Sequence, residues 1–110
     1  MLERIDTGVG DIMAELERSG WADKTLLVFF SDNGGAPGVA NNGHLRSYKS
    51  WLYEGGIRDP LIVRWPDRIK PGCQTDVPVC SIDFYPTFLD VAGAKPPAGQ
   101  PLDGVAWRLC

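Results

Sequence analysis

Apolar residues recur at helical spacing near the amino end: Val9, Ile12, Met13 and Leu16, with Glu15, Glu17 and Arg18 on the other faces. Steps of three and four put such side chains on one side of an α-helix. Asp6 or Thr7 can cap its start and Ser19-Gly20 its end. Thr25-Leu26-Leu27-Val28-Phe29-Phe30 follows as an unbroken apolar run of strand length, the pattern of a central parallel strand covered on both faces. Ser31-Asp32-Asn33-Gly34-Gly35 stops that run, and the residues beyond it repeat Gly and Asn without a period, which predicts a long loop. Pro60 to Trp65 is a second strand, its proline at the first position, where a missing N–H is tolerated, and Pro66 closes it. Pro71-Gly72 marks a turn and Val77 to Cys80 a short strand. Ser81 or Asp83 caps a helix from Phe84 to Val91 that ends at Gly93, with Pro86 in its first turn. Lys95 to Pro101 reads as a surface connection, and no internal repeat is present.

The order helix, strand, long loop, strand, helix predicts an α/β layer. Ligands of such sheets collect beyond the carboxyl ends of the strands, which is where the Asp32 loop begins. Length adds that 110 residues suffice for one small domain. A chain that is 44% apolar and 23% charged is an ordinary globular one, neither disordered nor fibrous. The net charge of −3 disfavours nucleic acid as main partner, because phosphate binding calls for a basic face. No apolar run reaches the ~18 residues that a transmembrane helix needs. Cys73, Cys80 and Cys110 are an odd set without C-x-x-C spacing, which argues against a zinc cluster and leaves a disulfide open, with free, partly buried thiols as the expectation.

Candidate chemistry gathers in the loop. Asp32 and Asn33 offer a carboxylate and an amide oxygen directly after the strand, donors suited to a hard cation such as Ca²⁺ or Mg²⁺. An ordinary Asx turn explains the same pair. Arg46, Lys49 and Arg58 can bind an anion or form surface ion pairs with Asp32, Glu54 and Asp59, and Lys49 is a compact ammonium that can meet sulfate or phosphate oxygens. Glu54-Gly55-Gly56 with Arg58 reads as structural: glycines permit a tight path and the charges pin it. His44, the only histidine, can contact substrate or stay solvated. Trp51 and Tyr53 read as packing groups. Ser31 lies in no G-x-S-x-G, so a serine-hydrolase triad has little support.

Taken together, TLLVFFSDNGG (Thr25–Gly35), LRSYKSWLYEGGIRDPLIVRWP (Leu45–Pro66), SIDFYPTFLDVAGA (Ser81–Ala94) and Leu102-Asp103-Gly104-Val105 resemble successive motifs of the type I, formylglycine-dependent sulfatases, in the right order and over nearly the whole chain. The resemblance implies part of an alkaline-phosphatase-like sandwich with a mainly parallel sheet between helices. It implies Asp32 and Asn33 as ligands of Ca²⁺ (Mg²⁺ is the alternative) and Lys49 as the sulfate contact, with Asp32 orienting the nucleophile through the shared metal. His44 and Arg46 would then lie near the substrate, a sulfated small molecule or glycan. A periplasmic, secreted or lysosomal parent protein is implied in the same way.

The chain departs from the family pattern at Ser47 and Ser50, where glycine is common, at His44, often proline, and at Asp59, a variable position after Arg58. A larger departure is that no C/S-x-P/A-S/A-R motif, the source of the formylglycine nucleophile, occurs around any cysteine or serine. The first metal-binding Asp pair and the family's catalytic histidine and lysine have no counterpart either. Residues 1–110 are therefore expected to be a partial catalytic domain lacking its nucleophile-bearing amino-terminal part, inactive alone, with an exposed sheet edge and apolar face. Two rival readings are a phosphatase, phosphodiesterase or phosphotransferase of the same superfamily, and a stand-alone binding product.

Overall fold

In a computed structural model, described for residues 2–107, the chain divides into two compact units, Met1–Asp67 and Arg68–Cys110. The first unit begins with helix α1 (Leu2–Arg18). It starts before the expected caps because Leu2 and Ile5 continue the stripe of Val9 and Met13, and the Thr7 hydroxyl, instead of capping, donates to the Glu3 carbonyl inside the helix at 2.8 Å. Its end matches the sequence signal. Gly20 takes φ +74°, Trp21 N–H donates to the Leu16 carbonyl at 2.9 Å, and Gly20 N–H donates to the Glu17 carbonyl at 3.1 Å. Those two bonds are the Schellman pattern, which satisfies carbonyls that the helix leaves open.

Strands β1 (Leu27–Phe30) and β2 (Leu61–Arg64) fall inside the two predicted runs. Between them lie the long loop and a single helical turn, α2 (Glu54–Ile57). The fold class is mixed α/β, as expected, but this strand pair is antiparallel, with Leu27 opposite Arg64 and Phe30 opposite Leu61. The apolar run of β1 suggested cover on both faces. Instead, Leu27, Val28 and Phe30 are half-buried and Phe29 is exposed. Among the described residues the sheet has two strands, which gives β1 one neighbour, and its apolar content exceeds what the unit itself can cover. Leu2, Ile5, Val9 and Met13 of α1 face Leu27, Phe29, Ile62 and the stem of Arg64 across an open, mostly apolar cleft of about 390 Å³. Among the described residues no apolar side chain is fully buried.

In the second unit, residues 77–80 form no strand. Pro78 removes a ladder donor there, and Val77 is exposed. A 3₁₀ turn at Ser81–Asp83 leads into α3 (Phe84–Val91), with Pro86 in its first turn. Gly93 at φ +64° ends it through a second Schellman pair, Ala94 N–H to the Leu89 carbonyl and Gly93 N–H to the Asp90 carbonyl. Asp83 and Thr87 clasp the segment that follows. The Asp83 carboxylate accepts from Cys80 N–H and Val105 N–H, both at 2.9 Å, and the Thr87 hydroxyl accepts from Trp107 N–H at 3.1 Å. Gly104 passes so close to the Ile82 carbonyl that no side chain fits. Cys80 carries an exposed free thiol, whereas Cys73 is disulfide-bonded, which corrects the expectation of free, partly buried thiols. Cys110 lies outside the described residues. No helix among them is long and apolar enough to cross a membrane.

Candidate sulfate and cation site

The loop after β1 turns through Ser31, whose hydroxyl donates to the Asn33 carbonyl at 3.0 Å. Asp32 itself is exposed. Gly34 N–H then donates to the Gly56 carbonyl at 3.0 Å, and the two backbones run so close that a Cβ on Gly34 would collide with the Gly55 carbonyl. Gly55 has the same constraint against the Ser47 carbonyl. Asp-Asn-Gly-Gly and Glu-Gly-Gly are therefore two halves of one backbone crossing, and side-chain-free residues are what the crossing requires.

Lys49 reaches this crossing through its backbone: its N–H donates to the Gly35 carbonyl at 3.0 Å. Its exposed side chain thus starts from a point tied to the strand-end loop. Sequence reasoning missed the residue that organises the whole arrangement. Asn42 accepts from Gly35 N–H at 3.2 Å and donates to the carbonyls of Ser47 and Gly55, each at 2.8 Å. Nothing in its spacing singles it out from the other loop asparagines; only the three-dimensional crossing does.

A second role missed from sequence is that of Asp59. Because Phe30 pairs with Leu61, the positions just beyond each, Asp32 and Asp59, come together at the same end of the strand pair. Desolvation, followed by the nearby Asp32 charge, raises the Asp59 pKa above the ordinary carboxylate value. Two carboxylates so placed make a field that favours a cation. Antiparallel pairing was the signal that could have revealed this, and the parallel expectation hid it.

The other candidates are engaged differently. Arg46 lays its guanidinium 3.8 Å over the Tyr53 ring, a cation–π contact, and its carbonyl accepts from Gly55 N–H at 2.8 Å. Trp51 and Tyr53 stack at 6.3 Å, yet both are exposed, so they cover the loop and do not enter a core. Arg58 and Glu54 form an exposed ion pair at 3.5 Å across α2, of small energetic weight. His44 is exposed in the turn at 43–44 and takes no part in the bonds that join the Asp32 and Lys49 loops. Among the described residues no three His, Cys, Asp or Glu side chains gather to hold a metal. A Ca²⁺ ion takes 6–8 oxygens, so Asp32 and Asn33 fit as one portion of a shell, with the right hard donors.

The sequence pattern of the Sulfatase family matches residues 1–94, well over half the chain. The chain belongs to the sulfatase family. It is 42% identical over 114 residues to a sulfatase of Formosa agariphila and 37% identical over 112 residues to a steryl-sulfatase of Rattus norvegicus, matching 94% of its own length in both. A solved structure of BT4656 in complex with its substrate D-glucosamine-2-N,6-O-disulfate superposes with a TM-score of 0.77 at 31% identity, over 96% of this chain. These matches decide for sulfatase over the phosphatase reading. The chain spans 21% and 19% of the two relatives and 20% of the solved one, about a fifth of a sulfatase.

Proposed function

We propose that this chain supplies the cation-anchoring and anion-neutralising part of a site that hydrolyses sulfate esters of a small molecule or glycan. Asp32 and Asn33 hold the metal, a Ca²⁺ or Mg²⁺ ion, and Lys49 contacts the sulfate. The observation that carries the reading is the Lys49 N–H bond to the Gly35 carbonyl, which ties the lysine to the loop bearing the cation donors. A bound hard cation contributes Lewis-acid stabilisation of charge on the sulfuryl oxygens. Lys49 adds a point charge with three donors, positioned before reaction and most effective where water is excluded. Asp59, beside Asp32, strengthens the negative field that retains the cation.

The nucleophile has no counterpart in this sequence, so turnover requires a formylglycine from a segment that these residues do not include. Sulfated glucosamine is the substrate of the structurally similar BT4656, and a sulfated sugar is the class we would test beside an aryl sulfate. In the intact protein, Lys49→Ala is expected to lower kcat by about 10² to 10³, the usual loss for one charge-stabilising donor. Asp32→Ala is expected to weaken calcium binding in a calorimetric titration and to abolish turnover. Unaltered turnover in both variants would sink the assignment.

A further inference from the structure

The Asn42 side chain is half-buried in the loop and uses both ends of its amide on backbone atoms of three separate segments. Its oxygen holds Gly35 N–H, and the carbonyl of that same Gly35 accepts from Lys49 N–H. A single residue therefore separates the Asn42 contact from the Lys49 contact. On the other side its two N–H donors hold the Ser47 and Gly55 carbonyls. Ser47 stands at φ +70°, a left-handed conformation that residues with a Cβ adopt at a cost of ~1–2 kcal/mol. The Asn42 bond to its carbonyl helps to hold it there.

We propose that Asn42 is the positioning residue that sets Lys49 against the Asp32-Asn33 loop, clamping Gly35 on one side and the strained Ser47 backbone on the other. It touches neither substrate nor cation; it acts through the backbone that carries both groups. The inference rests on the sulfatase-site reading above for its catalytic consequence, though not for its structural content. The carboxylate introduced by Asn42→Asp would keep an acceptor for Gly35 N–H but face two carbonyls that need donors.

The test compares Asn42→Ala, Asn42→Asp, Lys49→Ala and the double variant Asn42→Ala/Ser47→Gly in the intact protein, with para-nitrophenyl sulfate as substrate. Asn42→Ala is expected to lower kcat by about 100-fold, the cost of misplacing a reacting group by about 1 Å, with KM changed far less. Ser47→Gly, which adopts the left-handed conformation without strain, is expected to restore much of that kcat in the double variant. Asn42→Asp is expected to lose turnover as well and serves if Asn42→Ala does not fold. Unaltered kcat in Asn42→Ala or Asn42→Asp, alongside a defective Lys49→Ala, overturns the positioning role and leaves the site reading intact. Full turnover in Lys49→Ala overturns the site reading instead. In that event amide exchange decides the positioning role: the Lys49 N–H, which Asn42 does not touch, is expected to exchange faster in Asn42→Ala, and unchanged exchange there overturns the proposal.

Discussion

Ser47 and Ser50 occupy φ of +70° and +77°, on either side of Lys49. Sequence comparison with the family pattern marked both as departures from glycine, and the backbone gives the departure a physical meaning: the loop keeps a glycine-like path while carrying side chains that strain it. Ser50→Gly removes ~1–2 kcal/mol of left-handed strain and adds about 0.4–1 kcal/mol of unfolded-state freedom. A net gain of about 1 kcal/mol is expected, read as a higher urea midpoint at unchanged slope. A lower midpoint would show that the Ser50 hydroxyl contributes more than its backbone costs. At this scale the sequence was informative where residue type alone decides chemistry. Asp32, Asn33 and Lys49 could be proposed as site residues from their donors and motif positions, whereas the bonds of Asn42 and the place of Asp59 beside Asp32 could not be read, because they depend on what the fold brings together.

Among the elements, α3 was the most legible. Proline and C-terminal glycine signals are local, so Pro86 and Gly93 predicted their own roles, whereas Asp83, expected as a cap of α3, makes no side-chain cap to that helix and its carboxylate accepts from Cys80 N–H instead. What sequence could not show is that Asp83 also reaches across to Val105, twenty-two residues on. The two backbone bonds, from Cys80 first and then Val105, hold the Asp83 carboxyl below its ordinary pKa. The folded state thus binds this proton less readily than the unfolded one. Its stabilising effect is complete above the ordinary carboxylate range and disappears as pH falls through the lowered folded value. Urea midpoints followed into acid are expected to show this loss in the wild-type protein, and Asp83→Asn to remove that share of the pH dependence. An identical acid profile in the variant would mean that the clasp is held by Thr87 and Trp107 alone. The strands were legible in position but not in direction. An unbroken apolar run reports how much cover a strand wants and says nothing about which way its neighbour points, and here β2 runs antiparallel.

For the whole molecule, family membership was readable because several short motifs kept their order along almost the entire chain, while the sulfatases it matches are about five times longer. The apolar stripe of α1 and the Leu27, Phe29 and Ile62 face of the strand pair line a cleft that neither closes nor fills. That cleft has a calorimetric consequence. The heat-capacity step on unfolding comes mainly from apolar surface newly exposed to water, about 1.2–1.5 kcal/mol/K for an ordinary 100-residue domain. With no apolar side chain fully buried among the described residues, these residues alone are expected to melt with a much smaller step and a broad endotherm. A sharp transition with the ordinary step would mean that α1 collapses onto the strands in solution. Polypeptide packed into the cleft would withdraw that same surface from water before heating, and a gradual melt would become a cooperative one.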